Sequence, residues 1–469
     1  MTINIYLHNT ASHNIENFKP IKDGEVGIYS CGPTVYHYQH LGNMRAVVFA
    51  DTLHRMFLSA NYNVKHVINI TDVGHLVSDG DEGEDKMEKG AKREGKSVWE
   101  VAEFYTKEYF HCLDLLNINS TEYNFPKATE TIQEQIDLIK SLEEKGYTYA
   151  ISDGVYFDTS KFSRYADFAH LDIKGLQSGA RVEENTEKKN ITDFALWKFS
   201  PQNEQRQMEW ESPWGKGFPG WHVECSAMSK KILGNHFDIH TGGIDHIPVH
   251  HTNEIAQSEC ANGEKYVNYW MHNNFLNDQS GKMAKSSGEF LRLQTLVDKG
   301  YEPLAFRYYL LTTHYRKEIN FSFESLDAST VAYNKLVEWC KDNKTEGQVN
   351  EEYKNKFFEF LYNDLGTPAC VALIWDLIKD SSVNDSEKYA TVIFMGDILG
   401  LNFSKIEKLE IEISDEVREL LEARAVARAN ADYTESDRLR DEIAKLGFIV
   451  KDTSNGQEIK KYRQIKVPR

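Results

Sequence analysis

Apolar positions along the chain fall into two periods, and their alternation predicts the fold class. Val26-Gly27-Ile28-Tyr29 is a short apolar run of strand type. After a polar loop, Val47, Val48, Ala50, Leu53, Met56 and Phe57 recur at roughly 3.6-residue spacing, which predicts a helix. Val64 to Ile70 then reads as a second strand ending at Thr71-Asp72. Strand, helix and strand in succession predict a β-α-β unit and hence a parallel sheet.

The pattern is then interrupted. Ile132, Ile136, Ile139 and Leu142 form a helical stripe that Gly146 can terminate. Tyr147 to Ile151 and Val155 to Phe157 flank Ser152-Asp153-Gly154, a hairpin signal. Residues 126–205 therefore read as an insertion, with an exposed polar loop over Val182 to Asn190. The sheet pattern resumes with a short strand at Phe237 to His240, a loop at Thr241 to Asp245 and a helix from His250 to Ala256. From about residue 320 the period is helical, with Leu326, Val331, Leu336 and Val337 in one segment. Val417, Leu420 and Leu421 follow the N-cap candidate Ser414 in another. A last helix with Leu439, Ile443 and Leu446 stops at Gly447. Phe448 to Val450 and a Thr453 to Gly456 turn then predict a small α/β end.

The expected fold is α/β: a Rossmann-like parallel-sheet domain split by an insertion and followed by a helical C-terminal region. The expected divisions are 1–125 and 206–300 for the two halves of that domain, 126–205 for the insertion, 301–410 for a helical bundle and 411–469 for the C-terminal region.

Composition narrows the setting. With 469 residues and 41% hydrophobic content, the chain can bury a core in each of about three domains. The N-terminus lacks the basic and apolar parts of a signal peptide, and no apolar stretch approaches the roughly 20 residues of a membrane span, so a cytoplasmic protein without a membrane partner is expected. Six cysteines, widely spaced and without a CxxC pair, fit reduced thiols. The formal charge of -18 argues against wholesale nucleic-acid binding. Charge is uneven, however, and Lys460 to Arg469 is basic with an aromatic in it, either a solvated tail or a contact for a phosphate backbone.

Candidate chemistry collects at the predicted strand ends, where open parallel sheets place ligands. Cys31 leaves the first strand at the head of a loop running to Arg45. His250 and Glu254, four residues apart, share one helix face. With Cys31 and Cys225 they have the residue types of a zinc site, although buried core cysteines and a solvated helix pair would give the same spacing. His251 points elsewhere on that helix, and His240 and His246 are competing ligands. Gly90 to Ser97 matches the GxxxxGK[ST] phosphate-loop pattern but follows a charged helical stretch where the motif needs a buried strand. Lys282 and Lys285 lie between Gly281 and Gly288, so a loop with flexible ends can bring two ammonium groups onto a ligand. A plain turn before a helix would look the same.

Taken together these pieces resemble the class I aminoacyl-tRNA synthetases. His40-Leu41-Gly42-Asn43 resembles the HIGH motif and Lys282-Met283-Ala284-Lys285-Ser286 the KMSKS loop. Tyr29 to Tyr36, Gly220 to Met228 and His250 to Ser258 resemble the cysteinyl-tRNA synthetase family, over essentially the whole chain. The resemblance implies one zinc on Cys31, Cys225, His250 and Glu254, with the substrate cysteine's thiolate as a further ligand. It implies cysteine contacts from Gly32, Thr34, Thr71, Trp221, His240 and Asp245. ATP contacts are implied from His40, Asn43 and Lys285, with catalysis by His40, Asn43, Lys282 and Lys285 and Mg2+ accompanying the nucleotide. The implied partners are L-cysteine, ATP and tRNA(Cys), the expected state is a monomer, and no editing domain is expected. Asn43 and Ala284 depart from the motifs, which predicts modest changes in nucleotide affinity. The acidic stretch Asp79 to Asp85 is longer than the family leads one to expect. Two rival readings are an ATP-dependent cysteine ligase acting on an amino-sugar acceptor and a catalytically silent tRNA-binding or zinc-binding relative.

Overall fold

The computed structural model describes residues 4–74, 85–171, 186–201, 206–278, 281–282, 290–405, 414–453 and 456–461. The chain enters through a hairpin, β1 (Tyr6–Asn9) and β2 (Asn14–Asn17). It then lays down β3 (Glu25–Ser30), crosses through α1 (Leu41–Ser59) and returns parallel as β4 (Asn63–Ile68). Every residue of the predicted stripe in α1 (Val47, Val48, Ala50, Leu53, Met56 and Phe57) is buried, so packing against the sheet is what selects the helix here.

Helices α2 (Lys86–Glu94) and α3 (Val98–Leu115) follow. The phosphate-loop look-alike falls in α2 and its left-handed cap Gly95, so its backbone N–H groups are engaged in a helix instead of wrapping an anion. Next come α4 (Ile132–Glu144) and an antiparallel sheet of β5 (Thr148–Ile151), β6 (Gly154–Phe157), β7 (Phe194–Phe199) and β8 (Gly217–Pro219). The predicted Asp-Gly hairpin is the β5–β6 pair. The last strand of this sheet comes from beyond residue 205, because Trp197, Lys198 and Phe199 pair with Pro219, Phe218 and Gly217.

The parallel sheet resumes with α5 (Trp221–Leu233), β9 (Phe237–Gly243), α6 (Thr252–Asn262) and β10 (Val267–Asn273). Its order is β10-β9-β3-β4, all parallel. From β3 the chain proceeds to one side and from β9 to the other, so the strand order reverses between these neighbours. Crossovers on opposite faces leave a crevice at the carboxyl ends of β3 and β9.

Strands β11 (Leu276–Asp278) and β12 (Gly281–Lys282), helices α7 (Leu293–Asp298) and α8 (Pro303–Leu311), and strand β13 (Ile319–Asn320) come next, the strands pairing in the order β12-β11-β13. Four helices follow, α9 (Phe323–Asp342), α10 (Glu351–Leu361), α11 (Thr367–Lys379) and α12 (Asp385–Ile398). The buried stripe of α9 is Leu326, Tyr333, Leu336 and Cys340, whereas Val331 is exposed. Arg307 of α8, fully buried, reaches Asp51 of α1 and the carbonyls of Leu116 and Leu399.

Met1–Leu296 with Tyr301–Ser404 form one compact unit and Lys405–Arg469 with Val297–Gly300 a second. The second holds α13 (Asp415–Ala429), α14 (Tyr433–Lys445) and the hairpin β14 (Phe448–Thr453) and β15 (Gly456–Lys461). Ser414 caps α13, as the sequence predicts. Val417, Ile443, Phe448 and Val450 form its core, Leu446 is exposed, and buried Arg424 makes paired hydrogen bonds to Asp452. The basic end beyond residue 461, Asp79 to Glu84 of the acidic stretch, and Met283 to Gly288 lie outside the described residues.

Candidate active site

The crevice opens into a cavity of about 270 Å³. Cys31 follows the last residue of β3, and its N–H donates to the carbonyl of Thr241 on β9 at 3.0 Å, which fixes the two strand ends side by side. The loop beyond Cys31 pairs with the segment that follows β4. Gly32 N–H donates to Asn69 Oδ1 at 2.8 Å, and a side chain at this position would bring its Cβ within 1.7 Å of the Asn69 carbonyl oxygen. Thr34 and Thr71 form a bridge, held by the amide of Val35 on the Thr71 carbonyl.

At the other end of the loop His40 is the N-cap of α1. Its Nδ1 accepts from the Asn43 N–H at 3.2 Å, and its own N–H donates to Asn43 Oδ1 at 3.1 Å. This reciprocal box satisfies two donors at the helix start. Because Nδ1 accepts, the proton of a neutral His40 sits on Nε2, making that atom a donor. The site also faces the N-terminus of a 19-residue helix, where the partial positive charge of the aligned peptides favours anions.

Helix α5 contributes Trp221 and, one turn on, Cys225, which is buried. His250 lies in a π-helical turn, Ile247–His251, that runs directly into α6, where Glu254 sits in the first turn. Ligand atoms of Cys31, Cys225, His250 and Glu254 all lie within 4.8 Å of one another. Each element presents one side chain to that point.

Electrostatics match the geometry. Burial pushes the Cys31 thiol well up, while Cys225, hydrogen-bonded to Cys31 and close to His250, is held at about 6, so the two sulfurs carry one negative charge between them. Burial opposes charge on Glu254 and on His250 alike. His240 and His250 nevertheless draw the carboxyl of Glu254 well below the usual range, and Glu254 with Cys225 raises His250 to about 10. The cluster thus sets two anionic groups, Glu254 and Cys225, against the His250 imidazolium, a buried arrangement in which a cation could take the place of the His250 proton. Glu254 Oε1 is buried without a well-aligned hydrogen bond although His250 Nε2 is 2.9 Å away, as expected for two donors aimed at a common ion. Two sulfurs, one imidazole and one carboxylate fit a tetrahedral zinc ion.

Outer contacts orient these groups. His222 Nδ1 is 2.9 Å from His250 Nδ1, His240 Nε2 is 2.9 Å from Glu254 Oε2, and the Tyr266 hydroxyl donates to the same oxygen at 3.1 Å. The Trp221 ring packs on His250 with centroids 4.3 Å apart. Gly242 gives the histidines room, since a Cβ there would lie 2.6 Å from the His251 ring and 2.8 Å from His246 Nδ1.

Of the residues singled out in the sequence, Gly32, Thr34, His40, Asn43, Thr71, Trp221, Asp245, Cys31, Cys225 and His250 line one cavity. His240 is fully buried and bonded to Glu254 instead of lining that cavity. Lys282 is placed by its backbone in β12, opposite Asn277 of β11, and Lys285 lies outside the described residues. His251, which α-helical spacing turns away from the cluster, has Nε2 3.3 Å from Cys31 Sγ. The wide turn preceding α6 does not keep the 100° per residue of an α-helix. With His240, Cys31 and Glu254 it forms a second, overlapping set of close ligand atoms. Sequence reasoning missed His222, Asn69, Tyr266 and His272. His222 lies in α5, Asn69 just after β4, Tyr266 just before β10 and His272 near its end, so three separate stretches of chain meet here.

Residues 17–331 match the family model described as the class I (C) tRNA synthetase catalytic domain, and residues 411–459 the cysteinyl-tRNA ligase anticodon binding domain. Cysteine–tRNA ligase 1 of Burkholderia lata is 48% identical over 457 residues, covering 97% of this chain and 96% of that protein. The cysteine–tRNA ligase of Treponema denticola is 41% identical over 493 residues, 98% of this chain and 100% of that one. Among solved structures, methionyl-tRNA synthetase of Mycobacterium tuberculosis with methionyl-adenylate superposes at a TM-score of 0.55 and 13% identity over 80% of this chain and 90% of that one, a likeness of fold.

Proposed function

The chain belongs to the cysteine–tRNA ligase family of class I tRNA synthetases, and on that premise we propose that it activates L-cysteine with ATP and transfers the cysteinyl group to the 3′ end of tRNA(Cys). The observation that carries this reading is that Cys31, Cys225 and His250, whose ligand atoms cluster with that of the fully buried Glu254, line the same cavity as His40 and Asn43, so that a thiol-seeking centre and a nucleotide-seeking helix start share one space.

Zinc held by Cys31, Cys225, His250 and Glu254 would supply a soft Lewis acid for the substrate thiolate, a bond that serine's hydroxyl replaces poorly. A hydrophobic pocket alone would separate such near-isosteres by only about 10²-fold, and the zinc–thiolate bond would add the discrimination that an editing domain otherwise supplies. The rest of the chemistry belongs to the chain's own side chains. Asp245, exposed at the rim of the cavity, offers a carboxylate to the cysteine ammonium. The Thr34–Thr71 bridge and Gly32 shape the floor on which the substrate lies, and Trp221 covers the His250 side. The carboxylate oxygen of cysteine attacks the α-phosphorus of ATP, the bond to the β-phosphate breaks, and pyrophosphate leaves. His40 donates from Nε2 to the developing phosphate charge, with the N-terminus of α1 behind it, and the ammonium groups of Lys282 and Lys285 are assigned to the charge of the leaving group. A hydroxyl of the terminal adenosine of the tRNA then takes the cysteinyl group and AMP departs. These are positioning and electrostatic effects throughout. Mg2+ accompanies ATP.

The match of residues 411–459 to an anticodon-binding domain supports tRNA over an amino sugar as acceptor. A monomer in the cytoplasm fits this reading, and no helix among the described residues is long and apolar enough to cross a membrane. The test is charging of total tRNA with each amino acid, with and without a chelator. Cysteine-specific charging that the chelator abolishes is expected. Cysteine-dependent pyrophosphate exchange without transfer to tRNA would favour the amino-sugar rival instead.

A further inference from the structure

Three side chains outside the proposed ligand set run in series to Cys31. Thr10, in the turn after β1, has its N–H anchored on the Trp270 carbonyl at 2.8 Å. Its Oγ1 lies 2.7 Å from His272 Nδ1. His272 Nε2 lies 2.7 Å from His251 Nδ1, and His251 Nε2 lies 3.3 Å from Cys31 Sγ. Thr10, His272 and His251 are all buried, the last fully. They come from β10, the π-helical turn and the first hairpin, elements that meet only in the folded chain.

The series has a direction. His251 and His272 are buried, each meets its neighbours in the row through both ring nitrogens, and among the described residues neither is hydrogen-bonded to a carboxylate. Two imidazoles joined nitrogen to nitrogen require one ring to donate and the other to accept, and with one N–H on each ring the whole row is aligned. Running away from Cys31, the row needs an S–H proton donated to His251. Running towards Cys31, Thr10 donates its O–H to His272, His272 donates to His251, and His251 Nε2–H donates to sulfur. A cysteine that ligates a metal is a thiolate with no proton to give, so binding of the cation selects the second direction.

Resting on the metal reading above, we propose that Thr10, His272 and His251 are positioning residues: a hydrogen-bond relay that fixes His251 as a donor to the metal-bound Cys31 thiolate. One consequence concerns coordination. Cys31, His240, His251 and Glu254 also have ligand atoms within 4.8 Å of one another, yet a protonated Nε2 cannot ligate, so the relay keeps the ion on the Cys225 and His250 side. The other concerns reactivity. An N–H···S bond withdraws charge from the thiolate, leaving the ion a stronger acceptor for the substrate sulfur.

The test uses the full-length protein loaded with Co2+ and reads cobalt per chain together with the sulfur-to-cobalt charge-transfer band. His251→Ala is expected to keep one cobalt per chain and move the band to lower energy, since the thiolate regains the charge the N–H withdrew. His251→Gln, which retains an N–H donor, is expected to stay close to wild type. Thr10→Val, a small change at the far end of the row, should shift the band in the same direction by less, and Thr10→Ser should restore it. The KM for cysteine should rise about tenfold in His251→Ala, the usual size of an outer-shell loss, with the KM for ATP unchanged. Loss of cobalt or a changed ligand-field pattern in His251→Ala would make His251 a ligand and overturn the relay. Unshifted bands in both His251→Ala and Thr10→Val would overturn it as well. Wild-type protein that takes up no cobalt would remove the metal reading itself, a result distinct from either.

Discussion

Asn43 stands where the HIGH motif has its second histidine, and the structure gives it a task that can be weighed. It closes the box with His40 through two hydrogen bonds of 3.1 and 3.2 Å at a half-buried helix start. Asn43→Ala removes the acceptor for the His40 N–H while leaving the helix backbone intact. Losing a cap interaction of this kind costs about 1 kcal/mol, with a range of about 0.5–2. Because the lost bond anchors the His40 backbone from which the ring projects, that cost should reach the transition state, and at 1.36 kcal/mol per tenfold it amounts to roughly a fivefold fall in kcat/KM for ATP. Asn43→Asp keeps an acceptor for the His40 N–H but sets a carboxylate beside the triphosphate, so it should preserve stability and lose more activity than Asn43→Ala. The assay is cysteine-dependent ATP–pyrophosphate exchange at saturating cysteine, paired with thermal melts. On a His40→Ala background Asn43→Ala should add almost nothing, since it acts through the ring. Full additivity of the two substitutions would refute the positioning argument, as would an Asn43→Ala loss equal to that of His40→Ala with an unchanged melt.

Three further outcomes follow from the same geometry. Cys225→Ala should lower bound zinc below one per chain and abolish cysteine activation while ATP binding, followed by equilibrium titration, stays within about twofold; one retained zinc per chain would show that the ligand set is misassigned. Arg307→Met should destabilise the protein by about 3–5 kcal/mol in urea melts, because it leaves Asp51, a carboxyl held at about 2 by Arg307 and Arg55 against its burial, in a buried site with one partner fewer; a loss below about 1 kcal/mol would show that Arg55 and Tyr123 suffice. His66, fully buried beside Ser30 and stacked on His54, has its pKa pushed well below the ordinary value by burial and by His54. Folded His66 takes up a proton less readily than the unfolded chain, so its contribution is complete above about pH 6.5 and falls by about 1.4 kcal/mol per pH unit below it. His66→Gln, which keeps a nitrogen near Ser30, should therefore melt with a shallower pH dependence between pH 6.5 and 5 than wild type.

Local physics decided much of this molecule before the chain folded. The 3.6-residue stripe of α1, the Asp-Gly hairpin of β5 and β6, the Ser414 cap and the strand–helix–strand order are properties of short stretches, and each is legible from residue spacing alone. The motif strings at the strand ends marked the reactive stretches for the same reason, since a loop at the carboxyl end of a parallel strand is set by the strand before it and the helix after it. Where burial came from distant partners the reading slipped: Val331 keeps a helical period in α9 but faces solvent, because Tyr333 and Cys340 meet the neighbouring elements instead.

Spacing alone left His240 and His246 as competing ligands, and His250 was singled out by the resemblance. His222, His240, His246, His250, His251 and His272 are equivalent as letters, and only the β3–β9 register, which sets Cys31 against Thr241, and the π-helical turn before α6 determine that His250 joins Cys225 while His251 reaches Cys31 from the other side. Thr10 is 21 residues from Cys31 along the chain and carries no signal of its own. Its link to the site exists because the first hairpin lies against β10, and a hydrogen bond of 2.7 Å has meaning only once both sides have been buried together.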